Sequence, residues 1–244
     1  MKKSLLKSNV RKTIISLLLF QSFSANGQTP YWKDTQVTEV GKEYPRTEFT
    51  SFSTREAAIK GSYESSPYYR SLNGTWKFLY TDAYYKLPEG IERPDYDTFS
   101  WDNILVPGNW ERQGFGVAIY VNSSYEFNPQ NPIPPILPED NPLGVYRRNI
   151  EIPAEWLSRD IFLNIDGAKS GVYVYINGKE VGYSEDSKDR AQFLINKYVT
   201  EGNNVLTLKI LRWSTGSWLE CQDFWRISGI ERDVYLTSQP KEAL

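Results

Sequence analysis

The sequence of 244 residues has no histidine, one cysteine (Cys221) and one methionine. Without an imidazole there is no Ser-His-Asp triad, no Cys-His pair and no histidine acid or base. One thiol cannot close an internal disulfide, nor supply the ligands of an ordinary zinc site. Gly-rich phosphate loops, a Walker lysine and an EF-hand loop are missing too. Chemistry is left to carboxylates, lysine, tyrosine and serine. No apolar run approaches the ~20 residues a spanning helix needs. The length suits one large domain or two small ones, at ~100–200 residues each.

The first residues read as an export segment. Lys2, Lys3, Lys7, Arg11 and Lys12 come before any acid, the short apolar run Ile14-Ile15-Ser16-Leu17-Leu18-Leu19-Phe20 follows, and Ala25-Asn26-Gly27 offers a cleavage site. This is the pattern of a secretory signal over 1–27, implying a periplasmic or secreted protein with no stable membrane anchor. Its removal takes five of the 28 basic residues and none of the 30 acids, leaving 23 against 30, a net charge of −7. That excess argues against a nucleic-acid partner, which wants a basic face. An oxidising compartment tolerates the single thiol if Cys221 is shielded.

Residues 28–66 form an N-terminal arm of weak periodicity, with one short helix expected within Ser51–Lys60, capped by Ser53 or Thr54. From Ser71 the pattern is β. Alternating runs occur at 75–80, 104–106, 144–152, 161–165, 204–212 and 233–238. In Gly171–Tyr183, Asn177-Gly178 lies between two such runs and supplies the two positive-φ residues of a type I′ turn, so a hairpin is expected. Val172, Val174 and Ile176 fall on one face, Tyr173 and Tyr175 on the other. Many short strands joined by turns mean an antiparallel sandwich or barrel. Between Asn122 and Leu143 lie six of the 14 prolines, which predicts a stiff surface loop rather than a central strand.

Aromatics are plentiful, at 8 Trp, 17 Tyr and 11 Phe. They suit a sandwich core, and they also suit a sugar platform, since the C–H face of a pyranose packs on a ring. In Leu211–Arg232, Trp213, Trp218, Phe224 and Trp225 are expected to crowd around Glu220 and Asp223. Desolvated acids there would bind hydroxyls or cations strongly; alternatively Asp223 pairs with Arg226 or Arg232 to hold a loop. Asn122, with a donor and an acceptor, suits sugar hydroxyls or a plain turn. Glu185 and Asp186 are expected in a solvated turn after the hairpin. No pair among the 30 acids stands out as a glycosidase pair.

Several ordered motifs resemble one family. Ser71-Leu72-Asn73-Gly74-Thr75-Trp76-Lys77-Phe78, Val106-Pro107-Gly108-Asn109-Trp110-Glu111, Ile119-Tyr120-Val121-Asn122, Asn141-Pro142-Leu143-Gly144-Val145-Tyr146 and Val181-Gly182-Tyr183-Ser184 with Asp186-Ser187 are five of them. The sixth and most specific is Leu211-Arg212-Trp213-Ser214 followed by Glu220, Gln222-Asp223, Trp225-Arg226, Ser228-Gly229-Ile230 and Arg232-Asp233-Val234. Together they resemble the sugar-binding domain of glycoside hydrolase family 2, in its large bacterial β-galactosidase form, over about Tyr69 to Pro240.

The resemblance implies an all-β fold, a jelly-roll, galactose-binding-like antiparallel β-sandwich over 67–240, with the irregular arm before it and a linker starting at 241–244. It implies that Asn122 and Asp223 reach into a galactose site and that Asp223 helps hold a sodium ion, an oxygen ligand for a hard cation. The family's catalytic glutamates and its magnesium site belong to a later (β/α)8 barrel, so this stretch by itself is expected to be inactive. Three readings follow. The first is the sugar-binding domain of an exported enzyme that hydrolyses terminal β-galactose with retention. The second is a stand-alone carbohydrate-binding module. The third is docking onto a catalytic barrel domain or chain. The expected ligand is galactose or a β-galactoside.

Overall fold

A computed structural model describes residues 29–242 apart from Glu48, Pro129 and Cys221. The export segment at 1–27, the shielding of Cys221, one of the six loop prolines and the last two linker positions lie outside the described residues. Among the described residues no helix is long and apolar enough to cross a membrane.

The fold is an antiparallel β-sandwich. Its larger sheet runs β1 (Glu39–Val40), β11 (Lys179–Ser184), β10 (Gly171–Ile176), β13 (Gly202–Leu211), β7 (Leu143–Ile152), β3 (Gly74–Thr81) and β4 (Asp102–Val106). The facing sheet runs β12 (Ala191–Leu194), β8 (Asp160–Ile165), β16 (Val234–Gln239) and β2 (Tyr69–Ser71). A small sheet of β5 (Gly108–Asn109), β15 (Gly229–Ile230) and β9 (Ala168–Lys169) adds to the sandwich, and β6 (Ile119–Val121) with β14 (Phe224–Arg226) makes a separate ribbon. The chain crosses between the two main sheets repeatedly, from β7 to β8, from β11 to β12 and from β13 to β16, as a jelly roll does.

Local chemistry explains the elements. Asn177 and Gly178 take φ of 52° and 78°, as a type I′ turn requires, and the hairpin pairs Ile176 with Lys179. Thr54 caps α1 (Arg55–Lys60) by accepting from the Ala57 N–H at 3.1 Å. Val172, Val174 and Ile176 join Trp76, Phe78, Leu208 and Ile210 in the core between the sheets, opposite Leu163, Phe193 and Leu236.

The larger sheet is buried on its second face too. Val145, Tyr173, Leu211 and Trp218 pack there with Trp32 of the arm, Ile91 and Trp101 of the β3–β4 crossover, and Leu137 of the proline-rich loop. Polar groups fasten this coat. Arg147, nearly buried, donates to the carbonyls of Arg93 and Tyr96, and Lys209 donates to Glu92 at 3.0 Å. The three stretches also join one another: Trp32 packs on Tyr84 with centroids 5.9 Å apart, Lys33 pairs with Glu139, and the Tyr85 hydroxyl donates to Asp140 at 2.7 Å.

Two expectations need correction here. The arm is not irregular throughout: Glu39 pairs with Ser184 and Val40 with Tyr183, making a short edge strand, and Trp32 is 1 % exposed. Glu185 is not in a solvated turn. It is 4 % exposed, because three donors converge on it and satisfy a carboxylate away from water; Asp186 beside it is exposed, at φ 72°.

Candidate functional site

The β6–β14 ribbon brings the sequence-predicted pair together. Its β-branched and aromatic residues suit a pleated surface. The register pairs Phe224 with Val121, Trp225 with Tyr120 and Arg226 with Ile119. One residue beyond the paired stretch of each strand stand Asn122 and Asp223, both in bends. Tyr120 and Trp225, directly opposite across the ribbon, share a face, and Asp223 is within reach of Tyr120. All four are exposed. The Tyr120 and Trp225 rings meet edge-to-face, with centroids 5.7 Å apart. The Tyr120 hydroxyl donates to Asp223 Oδ1, and that bond to a carboxylate pushes the phenol's pKa up. Ser123 Oγ donates to Asn122 Oδ1 at 3.4 Å.

The other ribbon face looks into the protein. Arg226 and Glu126 form an ion pair with Nε–Oε2 at 3.2 Å and side chains 3 % and 4 % exposed. Trp213 Nε1 donates to the other Glu126 oxygen at 3.0 Å. Arg212 donates to the carbonyls of Val117 and Arg226 at 2.9 and 3.0 Å, tying the two strands together where β6 begins and β14 ends. Glu111 lies 3.8 Å from Arg212 and accepts from the Ser228 N–H at 2.8 Å; burial pushes its pKa up.

The proline-rich loop is a fixed wall beside this ribbon. Tyr125 and Phe127 pack on Trp218 with centroids 4.5 and 4.9 Å away. At the loop's far end, Asn141 and the backbone of Trp213 exchange two hydrogen bonds, 2.7 and 3.1 Å. The turn Thr215–Trp218, which leads to Asp223, is held by Glu185: the Tyr183 hydroxyl, the Thr215 hydroxyl and the Gly216 N–H donate to it at 2.7, 2.8 and 2.6 Å. Burial pushes the Glu185 pKa up. Glu220 accepts from the Ser187 N–H and hydroxyl at 2.7 and 2.6 Å.

Of the aromatics expected around Glu220 and Asp223, Trp213 lines one small pocket with Glu220, and Asp223 lies outside that pocket. Trp213 serves Glu126, Glu220 serves Ser187, and Asp223 stands in solvent beside Tyr120. Nor does Asp223 pair with an arginine: Arg226 is taken by Glu126, and Arg232 donates to the Lys188 carbonyl at 2.7 Å. Most tryptophans belong to the core, with Trp32, Trp76, Trp101, Trp110, Trp156 and Trp218 buried. Trp225, 55 % exposed, is the one left for a ligand. Sequence reasoning missed Tyr120, although it stands only two residues before Asn122. It also missed Glu126, whose partners are about 90 and 100 residues away and leave no local signal.

An antiparallel sandwich with an open aromatic, amide and carboxylate ribbon at one end defines the class. The chain belongs to the glycosyl hydrolases family 2, sugar binding domain, whose family model matches residues 69–240. It is similar to the beta-galactosidase of Priestia megaterium (strain DSM 319 / IMG 1521), 37 % identical over 219 residues, which cover 89 % of this chain and 21 % of that protein. The beta-galactosidase of Halalkalibacterium halodurans is 40 % identical over 210 residues, covering 85 % of this chain and 20 % of that one. Among solved structures, Bacteroides uniformis beta-glucuronidase matches at TM-score 0.54 and 25 % identity, over 70 % of this chain and 18 % of that one. The chain spans about a fifth of the length of the curated relatives it matches.

Proposed function

We propose that this chain is the galactose-site-contributing domain of an exported β-galactosidase-type enzyme, with Asn122 and Asp223 as its sugar contacts. The supporting observation is that Asn122 and Asp223 follow and precede the two paired strands of one ribbon, both exposed, with Asp223 bonded to Tyr120, which packs on Trp225. Asn122 can give and take a hydrogen bond, Asp223 accepts from sugar hydroxyls, and the Trp225 ring offers a surface for a pyranose C–H face. The relatives named beta-galactosidase favour galactose over other sugars.

Hydrolysis with retention needs two carboxyl groups ~5–5.5 Å apart across the bond. At the ribbon, Glu126 is buried under Arg226 and Glu220 is committed to Ser187, so Asp223 stands alone. The domain therefore shapes the sugar pocket, and the acid/base pair comes from a catalytic barrel docked against it. A sodium ion fits Asp223 as one ligand: Oδ1 accepts a hydrogen bond from the Tyr120 hydroxyl, and Oδ2 has no partner among the described residues. No group of three His, Cys, Asp or Glu able to hold a metal occurs among those residues, so any further ligands would be carbonyl, amide, hydroxyl or water oxygens or groups of another domain. The ion would fix the carboxylate and polarise a sugar hydroxyl.

The test uses the purified chain in two assays. Galactose should shift the Asn122 amide and Trp225 indole signals in heteronuclear NMR, weakly, and Asp223→Ala should abolish the shift. A chromogenic β-galactoside should show no turnover. Turnover well above the blank, or galactose leaving both signals in place, sinks the reading. Export predicts a mature N-terminus at Gln28, readable by N-terminal sequencing of the protein recovered outside the cytoplasm.

A further inference from the structure

The larger sheet closes at one end with β4, whose five residues make it the longest of the four strands that end the two main sheets. Of the others, β1 and β2 have two and three residues, and β12 is covered where the Glu43 N–H donates to the Gln192 carbonyl at 2.8 Å. An end strand presents one row of backbone N–H and C=O groups away from its neighbour, which is a template for a further strand. Asp102, Asn103 and Leu105 are exposed along β4, and the Leu105 side chain adds apolar surface, at 60 % exposed. Two such edges meeting antiparallel about Asn103 would be self-complementary.

Yet the outward row of β4 is nearly filled from within the chain. In an antiparallel ladder the outward groups belong to every second residue. Gln113 shows which residues these are: its Oε1 accepts from the Leu105 N–H at 2.8 Å, and its Nε2 donates to the Leu105 carbonyl at 3.0 Å. The same alternation turns Asn103 and Trp101 outward on one side of Leu105 and Pro107 on the other. The Trp101 N–H donates to the Thr98 carbonyl at 3.1 Å, and the Trp101 carbonyl accepts from Lys77 Nζ at 3.3 Å. Pro107 has no N–H to offer. Asn103 is left with an outward N–H and C=O that make no hydrogen bond among the described residues. One open residue is too little for a strand to pair with.

A side-chain amide offers one N–H beside one C=O, as a backbone unit does, so Gln113 stands on Leu105 in place of a strand. It is held there firmly. Its own N–H donates to the Trp110 carbonyl at 2.9 Å, which closes the turn Glu111–Gln113, and Trp110 is wholly buried. Its Nε2 also donates to the Asn109 carbonyl at 3.4 Å. Room for the amide depends on Gly108, where an added Cβ would lie 2.6 Å from Gln113 Nε2 and 2.9 Å from the Leu105 carbonyl oxygen. A second strand reaches Leu105 only by displacing this side chain. We propose that Gln113 locks the free edge of the larger sheet: its amide keeps β4 from pairing with β4 of a second copy of this chain.

The test compares the full chain with Gln113→Leu and with Gly108→Ala, which displaces the amide without altering Gln113. Sedimentation velocity reads the mass over a range of concentrations, and backbone amide exchange reads the edge. In the parent, exchange should be slow at Leu105, and fast and independent of concentration at Asn103. In dilute Gln113→Leu, Leu105 should exchange roughly tenfold faster, the loss of one hydrogen bond. As concentration rises a dimer should form, and Asn103 and Leu105 should both become slow. Adding Asn103→Pro removes the outward N–H while sparing the β3–β4 ladder, and should return the protein to the parent's mass. Gly108→Ala should behave as Gln113→Leu does, so a fold defect in one variant leaves the other to decide. Variants that keep the parent's mass at every concentration overturn the proposal. So does a dimer that persists with Asn103→Pro.

Discussion

Replacing Glu185 with alanine removes the acceptor shared by the Tyr183 hydroxyl, the Thr215 hydroxyl and the Gly216 N–H. Each buried donor left unsatisfied costs ~1–3 kcal/mol. The two hydroxyls can turn toward other partners, but the amide cannot, so the net loss should be about 3–5 kcal/mol. Glutamine keeps one oxygen, which can stay on Thr215 and Gly216 while its NH2 donates to the tyrosine oxygen. That variant should lose only about 1–2 kcal/mol. Urea unfolding of the three proteins, with free energies taken by linear extrapolation, measures both values. A second readout is pH. Burial raises the Glu185 pKa above 4.5 in the folded protein, so the folded state holds the proton more tightly than the unfolded chain. This group's contribution is therefore full below pH 4.5 and is lost as pH rises through the folded value. In Glu185→Gln that part of the slope should vanish. An alanine variant within about 1 kcal/mol of the parent, with the slope intact, would refute the reasoning.

Three further outcomes are expected. Asp223→Ala should bring the Tyr120 phenol back down toward 10.0, because the carboxylate that accepts its proton is gone; ultraviolet titration against a Tyr120→Phe reference isolates that ring. Trp218→Ala should cost about 3–5 kcal/mol and free Tyr125 and Phe127, seen as faster protease cleavage between 122 and 142 than in the parent. Gly182→Ala should detach β1, since an added Cβ would lie 2.0 Å from the Val40 carbonyl oxygen; amide exchange at Glu39 and Val40 would speed up while that of β10 stays slow.

How much of this was legible depended on the range of the interaction. The Asn177-Gly178 hairpin, the Thr54 cap and the alternation of β7 and β13 are written in neighbouring residues, and all are present. Two-residue strands such as β5, β9 and β15 are not, because three short segments from distant positions pair only once the sandwich exists. Burial of the larger sheet on both faces was hidden in the same way: Tyr173 and Tyr175 look like a solvent face until the arm and crossover cover them. At the ribbon, the resemblance named Asn122 and Asp223, but the exposed setting of Asp223 comes from Glu126 having claimed Arg226 and Trp213. Glu185 misled for a related reason, since its donors at 215 and 216 lie about 30 residues away.

The pairing of β1 with β11 sets an order of events. The arm leaves the ribosome before any other described segment, yet its partner ends at Ser184. Through the synthesis of some 140 further residues the edge of Val40 has no strand to pair with, and Tyr31 waits nearly as long for Tyr173 and Tyr183. Contacts of such separation form late and lengthen the time that apolar surface stays open. The part of the chain made first is thus among the last to find its place, and the larger sheet gains its full second cover only then.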